Sequence, residues 1–229
     1  MSPDCMPRAD GLGSINLGSS PLLFPRAAFD AVVIAASLGG REALEQLLGP
    51  LATDFPAPVL VAQHVDERSP GYLPRLLARS IRLAVKHAEN GERLRAGTVY
   101  VAPPGQHLVF SPDGRCRLSD GPRVSFARPS ADRLFEGAAD AFGARTLGVI
   151  LTGRLFDGVA GSVAIRRAGG VVVAQEPSSC RAPDMPRAAI RQGVVQLTLP
   201  IAVLASALHC LVALPGVPAL FGFEQRAVA

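Results

Sequence analysis

The chain has 229 residues, 48% of them apolar, and its 23 Lys and Arg against 19 Asp and Glu give a formal net charge of +4. That length accommodates one α/β domain with a real core, or two very small ones, and the apolar content suffices to fill such a core. The basic residues are spread along the chain and Trp is absent, which argues against nucleic acid as a partner, since such binders gather Lys and Arg on one face with aromatics between them.

Residues 1–27 are rich in Ser, Gly and Pro, with Leu22-Leu23-Phe24 as an apolar patch. They read as a flexible N-terminal tail ahead of a folded unit at 28–229, and no secretory pattern opens the chain. Ala31 to Ala36 is an apolar run with β-branched Val32, Val33 and Ile34 and no alternation, the signature of a parallel strand buried on both faces. It stops at Ser37-Leu38-Gly39-Gly40, and a helix-forming stretch follows from Arg41 to Leu48. A strand that ends in this way exposes one hydroxyl beside backbone N–H groups at a helix start, where an oxyanion or a phosphate can be held.

Val59 to Ala62 reads as a second buried strand ending in Gln63-His64, and Tyr72 to Arg79 as the next helix, with Pro74 tolerated in its first turn. Leu83–Val85, Thr98–Val101, His107–Phe110 and Arg115–Leu118 are short strand-like pieces punctuated by Asn90-Gly91, Pro103-Pro104-Gly105 and Pro112-Asp113-Gly114. They predict an antiparallel insertion within or beside the parallel sheet, with a hairpin tip at 111–114. Ser130 is suited to cap a helix running to about Phe142. Leu147 to Leu151 is a third buried strand, followed by Thr152 to Gly158, then a helix over Val159 to Arg167 stopped by Gly169-Gly170. Val171–Ala174 is a fourth buried strand, Pro186–Gln192 a short helix, Val194–Leu197 a last strand and Ile201–Leu214 the closing helix.

Pro200 to Phe221 is nearly free of charge, but His209, Pro215 and Pro218 interrupt it. The apolar helix within it has the length of a buried core helix, so a covering helix is expected and no membrane insertion. Cys5, Cys116, Cys180 and Cys210 show no C-x-x-C pair and no companion His at ligand spacing, which fits free thiols in a reducing, cytoplasmic compartment and no metal site. The expected architecture is α/β: a doubly wound three-layer sandwich with a mainly parallel sheet and an antiparallel hairpin insertion.

In open parallel sheets, ligands bind beyond the carboxyl ends of the strands. Ser37, His64 and Asp157 follow three successive buried strands. A serine needs an adjacent base to act as a nucleophile, an imidazole can be that base, and a buried carboxylate fixes its tautomer. Each residue also has a simpler role open to it: Ser37 as a turn former or helix N-cap, His64 as a structural histidine, Asp157 as a cap for the helix behind it. Their joint placement favours chemistry, although the order Ser, His, Asp and the Ala at position 35 do not match the α/β-hydrolase pattern. The Ser37 turn fits neither phosphate-loop motif. His87, His107 and His209 read as structural; Asp132 is open to a role as a second acid, but inside a predicted helix it reads rather as solvated or structural.

Several segments together resemble the catalytic domain of the CheB-type protein-glutamate methylesterases. They are Ile34 to Gly40, Gln63-His64, Ala88 to Glu92, Tyr100 to Pro103, Arg128 to Asp132, Gly148 to Gly153, Asp157-Gly158 and Met185 to Arg187, collinear with the family. The resemblance implies a serine hydrolase that demethylates glutamate methyl esters, and deamidates glutamines, on chemoreceptor-like proteins. Ser37, His64 and Asp157 then stand at the triad positions, with Leu38, Gly39, Arg154 and Met185 forming the oxyanion site or lining the cleft. No cofactor is implied. Regulated members of the family carry a receiver domain ahead of the esterase, where only a short stretch stands here, so a separate response regulator or another signalling protein is the expected controller. Arg154-Leu155-Phe156 and Asp184 depart from the family pattern at the edges of the implied site. The alternative is a catalytically weak or inactive binding module of the same fold in a signalling complex.

Overall fold

The computed structural model describes residues 23–24, 26–111, 113–214, 216–220 and 222. Most of the expected tail, Cys5, and the turn positions Pro112 and Pro215 lie outside the described residues. In chain order the elements are β1 (Ala31–Ala36), α1 (Gly40–Leu48), β2 (Val59–Gln63), α2 (Leu73–Leu77), β3 (Ala84–His87), β4 (Thr98–Val101), β5 (His107–Phe110) and β6 (Cys116–Ser119). They continue with α3 (Ala131–Phe142), β7 (Thr146–Ile150), α4 (Val159–Arg167), β8 (Val171–Gln175), α5 (Asp184–Arg191), β9 (Leu197–Leu199), α6 (Ile201–Ala213) and α7 (Val217–Leu220).

Seven strands form one sheet in the order β3-β4-β2-β1-β7-β8-β9, with every neighbouring pair parallel. β1 lies at the centre, fully buried along its length. Val32, Ile34 and Ala36 face one core with Leu44, Leu47 and Leu48 of α1 and Leu204, Leu208 and Leu211 of α6. Ala31, Val33 and Ala35 face the other, with Leu134, Phe135 and Ala138 of α3, Ile165 of α4 and Leu108 of the β5–β6 hairpin. The closing helix α6 therefore covers the sheet, and among the described residues no helix is long and apolar enough to cross a membrane.

The antiparallel part is smaller than the sequence suggests. Among the described strands only β5 and β6 pair antiparallel, as a separate two-stranded sheet with Phe110 opposite Cys116, whereas β4 and β3 extend the parallel sheet beyond β2. β3 is an edge strand with partly exposed residues, so it lacks the continuous apolar run that marks a buried parallel strand. The last strand also begins later than expected: β9 joins β8 with Val173 opposite Leu197, while Val194 is buried by side-chain packing outside the strand. Cys116, Cys180 and Cys210 are free thiols, and burial pushes the first two up to about 12 and about 11.

Helices α3 and α4 approach closely at Gly161, where an added Cβ would meet Phe135 Cβ and lie 2.9 Å from the Asp132 carbonyl oxygen. Overpacking of this kind costs about 1–3 kcal/mol. Gly161→Ala is expected to lower the urea midpoint accordingly, with the far-ultraviolet circular dichroism of the folded state unchanged.

Candidate active site

The chain runs from β1 outward through β2 to the edge strand β3, back inward to β4, and then across β1 to β7 and the far half of the sheet. The strand order thus reverses between β1 and β7, and the crevice beyond their carboxyl ends is where an open α/β sheet binds its ligand. Ser37 opens that crevice. Its amide donates to the Thr152 carbonyl at 3.0 Å, and its own carbonyl accepts from the Gly40 amide at 2.9 Å and from Gln63 Nε2 at 2.8 Å. Gln63 Nε2 also reaches the His64 carbonyl, so one side chain ties the serine turn to the end of β2. Gly40 leaves the space Gln63 occupies, since a Cβ there would collide with Gln63 Oε1, and that buried oxygen has no hydrogen-bond partner among the described residues.

The turn needs glycine at position 39, where φ is +81° and a Cβ would press on Arg181 and Thr152. Gly39, not Ser37, is the N-cap of α1, and no side chain caps that helix. The serine hydroxyl is accordingly not engaged in capping. Among the described residues, the Leu38 and Gly39 amides donate to no backbone carbonyl. Thr152 Oγ1 lies 2.9 Å from the Leu38 carbonyl and accepts from the Ala182 amide, joining the turn to the segment before α5.

His64 continues β2 beside β1, its amide bonded to the Ala36 carbonyl at 2.9 Å. Its Nε2 meets Asp157 Oδ2 at 2.6 Å, which leaves Nδ1 as the ring nitrogen open to a substrate-side partner. His64 and Asp157 are thus in direct contact. The Ser37 turn is tied to the end of β2 through Gln63, and its hydroxyl makes no hydrogen bond to His64.

Asp157 is 1% exposed. It does not cap the helix that follows it, whose N-cap is Gly158. Its carboxylate instead accepts from the first turn of α3: Ala131 N at 2.7 Å, Asp132 N at 3.0 Å and Ser130 Oγ at 2.8 Å. A carboxylate at a helix N-terminus is favoured by the free amides and the helix dipole. Burial alone would raise its pKa, but the bonds from His64 and from the Asp132 and Ala131 amides outweigh it and hold the carboxyl below the ordinary range. Ser130 is also the N-cap of α3, and its amide donates to Nδ1 of buried His107, whose Nε2 donates to the Pro122 carbonyl.

The remaining predicted residues surround this core unevenly. Leu38 and Arg154 are exposed at the rim, as are Leu155, at φ +66°, and Phe156. Met185 is fully buried and supports the site from beneath, its amide on the Gly153 carbonyl and its sulfur where a Cβ on Gly153 would go. Beside His64 opens a cleft of about 270 Å³ lined by Asp66, Glu67, Arg123, Phe126 and Leu155, with Phe126 78% exposed. The Arg123 guanidinium, with Arg128 behind it, holds Glu67 below its usual pKa. Among the described residues no group of three or more His, Cys, Asp or Glu side chains is placed to hold a metal ion.

Four residues that shape the site carry no role in the sequence reading: Gln63, Thr152, Ser130 beyond its cap, and Asp132. The last is not solvated. It is 3% exposed, and its Oδ1 accepts from the amides of Gly158 and Gly161 while Oδ2 accepts from Ser125 Oγ. The strand-end positions of Gln63 and Thr152 were a local signal, whereas nothing local marks Asp132.

A doubly wound parallel sheet with its polar cluster beyond the switch-point strands defines the open α/β class whose chemistry sits in that crevice. Within that class, the chain belongs to the CheB methylesterase family, whose model matches residues 32–208. A Leptospira interrogans protein (strain Fiocruz L1-130) is 40% identical over 171 residues, 75% of this chain and 89% of that protein. Protein-glutamate methylesterase FrzG of Myxococcus xanthus is 40% identical over 184 residues, 80% of this chain and 55% of FrzG. The crystal structure of the Thermotoga maritima CheB methylesterase catalytic domain aligns with a TM-score of 0.77 and 32% identity, covering 79% of this chain and 97% of that one.

Burial, with the Asp157 charge adding to it and the Gly161 amide and Ser125 hydroxyl opposing, raises the Asp132 carboxyl to about 6. A raised acid contributes stability that is present below the ordinary Asp value of about 3.9 and is lost as pH rises through its folded value. Asp132→Asn, which still offers Oδ1 to the two amides, should therefore gain stability relative to wild type between about pH 4 and pH 7. Asp157 has the opposite sign, so the loss in Asp157→Asn should be largest at neutral pH and shrink below about pH 3.9. Urea midpoints across this range check both.

Proposed function

We propose that the unit spanning residues 28–229 is a cytoplasmic serine hydrolase that demethylates glutamate methyl esters, and deamidates glutamines, on a chemoreceptor-like signalling protein. Ser37 is the nucleophile, His64 the base and Asp157 the carboxylate that orients it. The observation that carries this reading is the 2.6 Å contact of His64 Nε2 with a buried, fully hydrogen-bonded Asp157, beside a serine hydroxyl that caps no helix.

In this mechanism His64 Nδ1 takes the proton from Ser37 Oγ as that oxygen attacks the γ-carbonyl of the modified glutamate. Asp157 keeps a proton on Nε2 and stabilises the imidazolium. The tetrahedral oxyanion is met by amides of the Ser37 turn, with Leu38 and Gly39 the available donors. Nδ1 then returns its proton to the leaving methoxide or amide, releasing methanol or ammonia. Water, deprotonated by the same nitrogen, hydrolyses the glutamyl ester on Ser37 and restores the enzyme. The reaction uses protein groups and water alone. Gly39, with Met185 beneath Gly153, keeps the turn in shape, while Leu38, Arg154, Leu155 and Phe126 present the rim to the substrate protein.

A fluorophosphonate probe tests the reading directly. Wild type is expected to label, and Ser37→Ala and His64→Ala to lose labelling along with methanol release from methylated receptor preparations. Removing a triad member typically costs on the order of 10⁴-fold or more in kcat. Failure of folded wild type to label would leave the binding-module reading of the same fold.

A further inference from the structure

Asp157 and Asp132 sit in a reciprocal arrangement. Asp157 immediately precedes α4, yet its carboxylate caps α3 through Ala131 N and Asp132 N. Asp132 lies in the first turn of α3, yet its carboxylate caps α4 through Gly158 N and Gly161 N, both at 2.9 Å. Each helix takes its cap from the other's chain segment.

The bond to Gly158 N falls on the peptide unit that joins Asp157 to Gly158. On the other side of Asp157 stand Leu155 and Phe156, both about half exposed. Gly158 itself has φ +99°, a conformation that glycine adopts without strain. Gly161 allows the approach, since a Cβ there would stand 2.9 Å from the Asp132 carbonyl oxygen. Asp132 thus bonds the backbone directly behind the carboxylate that contacts His64.

We propose that Asp132 is a positioning residue: its carboxylate, by bonding the Gly158 and Gly161 amides, fixes the Asp157 side chain on His64 Nε2. The proposal rests on the reading of His64 as the base, but its structural core does not depend on Ser37. Asp132 touches neither substrate nor the reacting atoms.

The test uses proton NMR of the full chain alongside turnover. The His64 Nε2 proton, shared with a buried carboxylate, should give a far-downfield resonance, assigned by its loss in His64→Gln. In folded Asp132→Ala that resonance should shift or vanish, while Asp132→Asn, which keeps an acceptor for both amides, should retain it. Asp132→Glu keeps the charge but moves the acceptor by one methylene, and should disturb the resonance too, which decides the matter if Asp132→Ala does not fold. On a methylated receptor preparation, kcat for Asp132→Ala should fall about 10- to 100-fold with KM within about twofold, and Asp132→Asn should recover most of that loss. A resonance unchanged in folded Asp132→Ala, or in Asp132→Glu, overturns the proposal, as does its loss in Asp132→Asn. Turnover retained by Ser37→Ala would defeat the hydrolase reading instead, leaving the resonance to decide the role of Asp132.

Discussion

A carboxylate removed from water must find donors for its oxygens, and the way Asp157 finds them dictates much of the second half of the molecule. An isolated buried charge is prohibitively unfavourable. Asp157 meets the requirement with His64 and three donors from the start of α3. That demand places the N-terminus of α3 against the start of α4, and the small side of Gly161 lets the two helices close. His107, by holding the Ser130 amide, anchors the same corner to the β5–β6 hairpin. The hairpin is thereby a support for the buried carboxylate as well as a cover for the sheet.

The serine turn answers to a different constraint. Its geometry follows from the change of direction in strand order at β1 and β7, which opens a crevice and leaves the two strand ends to be joined across it. Ser37 N on the Thr152 carbonyl and Gln63 Nε2 on the Ser37 carbonyl make that join from both sides. The glycines at 39 and 40 are required for separate reasons, one by its left-handed backbone and the other by the bulk of Gln63.

How much of this could be read beforehand depends on whether the signal was local. β1, β2, β7 and β8 are buried on both faces, and their unbroken apolar runs announced them. The edge strand β3 and the short β9 lack such runs: β3 pairs parallel rather than within an antiparallel insertion, and β9 begins at Leu197, because neighbouring apolar residues such as Leu83 and Val194 are buried outside the ladder. At the site, Ser37, His64 and Asp157 stood out by following strands. The cap that Asp157 supplies to α3, and the one that Asp132 supplies to α4, cross between segments about 25 residues apart in sequence, and local capping rules look only within one helix. Nothing local therefore separates a solvated Asp132 from a structural one, and the structure makes it a buried cap, 3% exposed.

The double attachment of the Ser37 turn has a consequence for motion. Loops that carry function usually belong to the least protected parts of a protein, opening in small excursions while the scaffold stays intact. This turn has one anchor in each half of the sheet, so its backbone is coupled to the central strands on both sides. Slow fluctuations near the crevice then fall to the exposed rim at Leu155, Phe156 and Phe126, and the segment bearing the hydroxyl shares the lifetime of the central sheet.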